Sequence, residues 1–225
     1  MFDIVFRRFE SLSALDTAVA ALLRHHFERE YPCHHAVMLA GGKTPFGAYR
    51  IVAGSKCVVS RGLRVFVSDE RLVPITSPES NCGNMRFMFE ALGLAESQII
   101  GVSPDLQPEL AAERYDRALR AFFNGGGIIP LGLLGLGADG HTASLFSRED
   151  LARGRGRYAI ASAGPGGVRR VSVSVDMLAR IQQVIFVAAG QDKEAIAGKL
   201  RNCPAKVTAG LAAAGIKMKQ LWFAA

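Results

Sequence analysis

Leu134-Gly135-Leu136-Gly137-Ala138-Asp139-Gly140-His141-Thr142-Ala143-Ser144-Leu145-Phe146 is the stretch from which the rest of the chain can be read. The apolar run before it, Ile128 to Leu134, has the length and composition of a buried strand. Glycines then let the backbone turn tightly and come close to a ligand. Asp139 and His141 follow, two residues apart, at the expected mouth of the next helix. In an open α/β sheet, ligands lie in the crevice beyond the carboxyl ends of the strands, and this carboxylate and imidazole fall there.

Outward from that loop, strand and helix patterns alternate. On the N-terminal side, a strand at Ile4 to Phe6 leads to Ser11 or Ser13 as a helix cap. The apolar spacing Leu15, Ala18, Val19, Leu22, Leu23 then marks an amphipathic helix ending near Tyr31-Pro32. Ala36 to Ala40 reads as a short buried strand running into Gly41-Gly42-Lys43-Thr44-Pro45. A helix follows, with Thr44 as its cap and Pro45 as its first residue. Leu63 to Val67 is the next strand, followed by the polar loop Ser68-Asp69-Glu70-Arg71. Helices are expected from about Asn84 to Leu92 and from Pro108 to Phe123, before the break at Gly125-Gly126-Gly127. Beyond the central loop come strands at Arg157 to Ala161, Arg170 to Val175 and Val184 to Ala188. The last opens into Gln191-Asp192-Lys193 and a helix to Leu200. This alternation predicts an α/β fold, a mostly parallel sheet with helices on both faces. No repeat, charge block or linker divides residues 1–225, which read as a single domain.

At 225 residues the chain can bury a sizeable core, and 49% hydrophobic against 21% charged residues is ordinary for a globular protein. The net charge of +7 favours anionic partners, either nucleic acid or small phosphorylated molecules. The densest basic group, Arg148 to Arg170, is broken by glycine and carries only Tyr158 as an aromatic, which counts against a nucleic-acid groove. Cys33, Cys57, Cys82 and Cys203 form no Cys-x-x-Cys pair and read as free thiols of a reducing compartment. Arg7, Arg8 and Glu10 stand where a secretory apolar region would lie, and no apolar run reaches the roughly 18 residues of a membrane span. A cytoplasmic chain that binds no membrane is expected.

Several loops could carry chemistry. The amides of Gly41, Gly42, Lys43 and Thr44, placed between a strand and a helix, suit an anion, with the Lys43 charge and the Thr44 hydroxyl as further donors. The order of glycine and lysine is wrong for a Walker A loop. Gly135 to Gly140 satisfies GxGxxG, but the region about 20 residues on, around Ile160, has no acid to hold a ribose, so the dinucleotide reading fails. His141 has the pKa class for proton transfer near neutrality. His25, His26, His34 and His35 have no such loop around them and read as surface or helix-end residues. Arg71 is either part of a surface ion pair or an arginine aimed into the crevice, oriented by a neighbouring carboxylate. Arg169 reads as solvated. No GxSxG elbow and no informative Cys/His spacing supports a covalent hydrolase.

In order along the chain, the motifs are Gly41 to Pro45, Ser68-Asp69-Glu70-Arg71 with Val73-Pro74, and Ser80-Asn81. Gly135 to Phe146, Arg170-Val171-Ser172-Val173 and Gly190-Gln191-Asp192-Lys193 follow. Together they resemble the 6-phosphogluconolactonase family over nearly the whole chain. The resemblance implies the modified Rossmann-like fold shared with glucosamine-6-phosphate deaminase and ribose-5-phosphate isomerase. It implies hydrolysis of a phosphorylated sugar lactone without metal or organic cofactor, by a monomer or weak homodimer. In that scheme His141 is the general base, Asp139 orients or polarises either that histidine or a sugar hydroxyl, and Arg71 stabilises the oxyanion with the amides of Gly137 to Gly140. Gly41, Gly42, Lys43, Thr44, Asp69, Asn81, Arg170 and Lys193 hold the substrate and its phosphate. The deaminase pattern instead has tyrosine at Arg71 and glutamate at Phe146, and a non-catalytic sugar-phosphate sensor is a further alternative. Ser147 departs from the proline usual after Leu-Phe.

Overall fold

The computed structural model describes residues 3–225. The chain runs β1 (Val5–Phe9), α1 (Leu12–Glu28), β2 (His35–Leu39), α2 (Phe46–Ala53), β3 (Leu63–Val67), β4 (Asp69–Arg71), α3 (Asn81–Ala91) and β5 (Ile99–Ile100). It continues with α4 (Pro108–Asn124), β6 (Ile128–Gly135), α5 (Arg148–Arg153), β7 (Ala159–Ala163), β8 (Arg169–Val173), α6 (Val175–Leu178) and β9 (Ile181–Ala189). It ends with α7 (Glu194–Asn202), α8 (Thr208–Ala212) and β10 (Met218–Ala224).

Seven strands make a parallel sheet in the order β1-β10-β9-β6-β2-β3-β5. From β2 the chain adds strands to one side, and from β6 it adds them to the other. The order therefore switches between β2 and β6, and the crevice beyond their carboxyl ends is the place such sheets bind ligands. Residues 41–45 leave β2 there, and residues 136–141 leave β6.

Alternating side chains cover both faces of the sheet. Val37, Leu39, Leu131, Leu133, Ile185 and Val187 pack with Leu15, Leu23, Tyr49 and Met85 from α1, α2 and α3. Ala36, Met38, Leu134, Val184, Phe186 and Ala188 pack on the other side with Tyr115 and Leu119 of α4 and Leu200 of α7. That second cluster also takes in Ile160, Val171 and Val173, which belong to a second, antiparallel sheet, β4-β8-β7. The mostly parallel α/β sheet is therefore as expected, with a small sheet set over one face.

Several local expectations are corrected. Asp69 to Arg71, read as a polar loop, is a strand with Asp69 and Glu70 buried, because β8 closes over it. No helix follows His141 directly; a compact turn holds the chain until α5, capped by Ser147 and Asp150 in a reciprocal capping box. Ser147, in the place of the usual proline, thus has a structural use. Thr44 does not cap α2, which begins at Phe46 with Pro45 before it and no side-chain cap. α3 starts earlier than expected, at Asn81, capped by Ser80. β7 runs from Ala159 rather than Arg157. His26 lies in the last turn of α1, as a helix-end residue, but it is buried, and His35 is buried at the start of β2 rather than at the surface. β5, of two residues, and β10 were not anticipated.

Candidate active site

A cleft of about 270 Å³ opens at the switch point, lined by Gly41, Gly42, Lys43, Thr44, Asp69, Arg71, Asn81, Gly137, His141, Arg170 and Lys193 among others. Of the residues singled out in the sequence, only two lie off its wall. Asp139 stands behind His141, and Gly140 packs away from the cleft. A Cβ on Gly140 would lie 2.8 Å from Val207 Cγ1, and the residue adopts φ +88 where the loop reverses. Its carbonyl accepts from Ala209 N–H at 2.8 Å. Gly140, expected to hold substrate, packs against Val207 and Ile196 and is not among the residues that line the cleft.

The loop that carries His141 is tightly wound. Gly137 N–H donates to His141 O at 2.9 Å, Gly140 N–H to Gly137 O at 3.0 Å, and the Thr142 hydroxyl to Gly135 O at 2.8 Å. Asp139 Oδ1 meets His141 Nδ1 at 2.5 Å and also accepts from the His141 amide at 3.2 Å. Partial burial pushes the Asp139 carboxyl up, but the hydrogen bonds and charge of His141 outweigh it and hold the group below its ordinary range. Asp139 is therefore an ionised acceptor for His141 Nδ1–H, and in the neutral form of the imidazole this leaves the lone pair on Nε2. Gly137 makes this pair possible, since a Cβ there would fall 2.2 Å from His141 Nδ1.

The small sheet holds the loop at a set distance from the arginines. Ser144 uses its hydroxyl to donate to Asp69 Oδ2 at 2.6 Å and its amide to donate to Ser172 Oγ at 3.1 Å. Its carbonyl accepts from the Ser162 hydroxyl at 2.6 Å. One residue is thereby tied to all three strands, beside Ala143 with its positive φ of 49°. Asp69, expected as a ligand, has its carboxylate engaged by Ser144 and by the Ser68 hydroxyl at 3.1 Å, and it faces Arg170 Nη1 at 3.7 Å. Asn81 donates its side-chain amide to Asp69 O at 2.7 Å and packs under Gly41, where a Cβ would collide with it.

Glu70, whose role was not legible in the sequence, is the buried keystone of this corner. It accepts from the amides of Arg71, Asn81 and Cys82 at 2.7–2.8 Å and from the Ser80 hydroxyl at 3.2 Å. Burial raises its carboxyl despite these three amides. It fixes the start of α3 against β4 and so sets the root of Arg71. Arg71 Nη1 donates to Glu79 O at 2.7 Å. The Nε atoms of Arg71 and Arg170 are buried without a partner. Arg169, by contrast, is exposed, as read from the sequence.

Across the cleft, no described hydrogen bond uses the amides of Gly42, Lys43 or Thr44. Gly42 has φ +88, open only to glycine at little cost, and Gly42, Lys43 and Thr44 all line the cleft. Lys193 sits on a short 3-10 turn at the start of α7. Among the described residues no cluster of three His, Cys, Asp or Glu side chains could hold a metal ion. The arrangement pairs one free imidazole nitrogen with a surplus of cationic and amide donors, which suits proton abstraction next to an anionic ligand.

The model of the family described as glucosamine-6-phosphate isomerases/6-phosphogluconolactonase matches residues 10–222. A 6-phosphogluconolactonase of Thermotoga maritima is 34% identical over 161 residues, 70% of each chain. A human 6-phosphogluconolactonase is 39% identical over 133 residues, 57% of this chain, so the match spans 52% of the human protein's length. Among solved structures, a 6-phosphogluconolactonase of Thermotoga maritima superimposes with TM-score 0.81 at 26% identity, covering 99% of both chains. A structure described as devB protein superimposes with TM-score 0.88 over 98% of this chain and 96% of that one, at 24% identity.

Proposed function

This chain belongs to the family of glucosamine-6-phosphate isomerases and 6-phosphogluconolactonases, and on that premise we propose that it hydrolyses 6-phospho-D-glucono-1,5-lactone to 6-phospho-D-gluconate. That reaction is the second step of the oxidative pentose phosphate pathway. The observation that carries this reading is the Asp139–His141 pair, with Nε2 free, set in one cleft with Arg71 and Arg170, two cationic groups whose Nε atoms lack partners.

The phosphate docks on the amides of Gly42 to Thr44, with Arg170, Lys43 and Lys193 offsetting its charge. His141 Nε2 takes a proton from water as its oxygen bonds to the lactone carbonyl carbon. Arg71, with amides of the Gly137 loop, stabilises the tetrahedral oxyanion. On collapse the bond to the ring oxygen breaks, the imidazolium returns its proton to that oxygen, and the open-chain acid is released. General-base catalysis contributes about 10² to 10⁴-fold, and one oxyanion donor about 10² to 10³-fold. A lactone that already opens slowly in water needs no covalent step and no metal or organic cofactor beyond these groups. The reaction is placed in a single domain and in the cytoplasm, where the free thiols of Cys33, Cys57, Cys82 and Cys203 would stay reduced.

The isomerase branch of the family is disfavoured by Phe146, which packs on His141 and has no proton to relay. The test is formation of 6-phosphogluconate from freshly made lactone at slightly acidic pH, where the background is slow. Product well above background is expected. A rate equal to background overturns the proposal and directs the search to amino-sugar phosphates and then to non-catalytic binding.

A further inference from the structure

Phe146 takes no part in the hydrolysis set out above, yet it touches two of its working groups. Its ring centroid lies 4.5 Å from that of His141, tilted by 45°, and the Arg170 guanidinium carbon stands 5.6 Å from the same centroid. We propose that Phe146 is a positioning residue that fixes the base and the anion-binding arginine against each other, so that both meet one substrate in register. The inference rests on the reading of His141 as base and Arg170 as anion ligand.

Neither group is held firmly by hydrogen bonds alone. His141 is tied through Nδ1 to Asp139, which is 58% exposed, and that bond leaves the ring free to tip about the Nδ1···Oδ1 line. The Phe146 ring blocks that tipping from one side. Arg170 has its nearest carboxylate oxygen at 3.7 Å and no partner for Nε. It is held by packing instead. The Phe146 ring lies on one contact, and on another the backbone of Gly164 comes so close that a Cβ there would lie 2.5 Å from Nε. A flat guanidinium on an aromatic face keeps its in-plane N–H donors free for an anion.

Phe146 is itself anchored. Its amide donates to Asp150 Oδ2 at 2.9 Å, the Ser147 amide to the same oxygen at 3.1 Å, and Arg153 pairs with the other oxygen. The capping box of α5 therefore fixes the backbone from which the ring projects. An aliphatic side chain would fill part of the space but offer neither a flat face for the guanidinium nor a planar stop for the imidazole.

The full-length chain would be compared with Phe146→Leu and Phe146→Tyr, reading kcat, KM for the lactone and the affinity for inorganic phosphate by thermal shift. The leucine variant should lose about tenfold to a hundredfold in kcat, the effect of a misplaced base. Its phosphate affinity should weaken about two- to fivefold, the effect of a lost cation–π contact. Tyrosine, which keeps the ring, should restore both. Phe146→Met gives the same reading if the leucine variant does not fold. A folded leucine or methionine variant with wild-type kcat and phosphate affinity overturns the inference, as does a shift in only one of them or a tyrosine variant as impaired as leucine. Absence of turnover in the wild type overturns the lactonase reading and this inference with it, whereas active wild type beside an unimpaired leucine variant overturns this inference alone.

Discussion

Arg71 and Arg170 are direct partners across the β4–β8 ladder, so two guanidinium groups of one sign lie side by side in the wall of the cleft. Like charges in this position are ordinarily destabilising. Burial holds the Arg170 guanidinium below its usual range, the Arg71 charge adds to that, and Asp69 only partly offsets it. An anion held between the two guanidinium groups would relieve the repulsion. On the proposed function, the pair would bind an anion, with the unfavourable part of the interaction present before the ligand arrives.

Replacing Arg170 with Met should therefore change the unliganded stability by less than about 1 kcal/mol, since relief of repulsion offsets the lost contact with Asp69. It should remove most of the stabilisation that added phosphate gives the wild type. Urea unfolding with and without phosphate measures both. A large loss without ligand and undiminished phosphate stabilisation would make the arginine structural.

His141→Ala should lower kcat by about 10² to 10⁴-fold while leaving binding of 6-phosphogluconate nearly intact. Nε2 is the ring nitrogen not already committed to Asp139. Kinetics beside calorimetric binding separates the two effects, and comparable loss of both would show the imidazole to be a scaffold residue.

Gly137→Ala tests the same pair without touching either member. The added methyl would lie 2.2 Å from His141 Nδ1 and 2.5 Å from Asp139 Oδ1, while Gly137 is not among the glycines with positive φ. The backbone should accept alanine and the hydrogen bond should not. A folded variant with kcat reduced at least about 10²-fold is expected. Wild-type turnover would mean that the Asp139–His141 contact is dispensable.

The buried histidines predict a pH dependence remote from the cleft. Burial first, and then the charges of His25, Arg29 and His35, push the His26 imidazole down to about 4. His35 is lowered as well, again chiefly by burial, although its bond to His26 O opposes the shift. Folded pKa values below the unfolded value of about 6.5 mean that the unfolded chain binds more protons in between. Stability should be fully retained above pH 6.5 and fall as the pH drops toward about 4. His26→Gln, which keeps an acceptor for the Tyr31 hydroxyl, should flatten that slope. Identical pH profiles of the melting temperature in the two proteins would clear His26 of the effect.

Much of the site was legible because its signals are local. The apolar run into Gly135-Leu136-Gly137 and the turn after Leu39-Ala40 are encoded by neighbouring residues, and both loops lie at strand ends where the alternation of elements puts them. Asp139, His141, Lys43 and Arg71 followed from residue type at those places. Gly140 did not, because whether a glycine faces a ligand or a valine depends on Val207, far along the chain. Nor did the burial of His26 and His35, in a segment whose local composition is polar.

By itself, the sequence determined the parallel α/β architecture, the two glycine loops at the switch point and the nearness of Asp139 to His141. These depend on periodicity and on backbone freedom over a few residues. The tertiary structure alone decided that Asp69 to Arg71 is a strand rather than a loop, and that Glu70 braces α3. It likewise decided that Ser144 joins three strands, that Arg71 opposes Arg170, and that the Phe146 ring reaches both His141 and Arg170. Most of these rest on contacts between residues distant in the chain. Their polar or charged side chains are tolerated inside only because partners from other elements arrive to meet them.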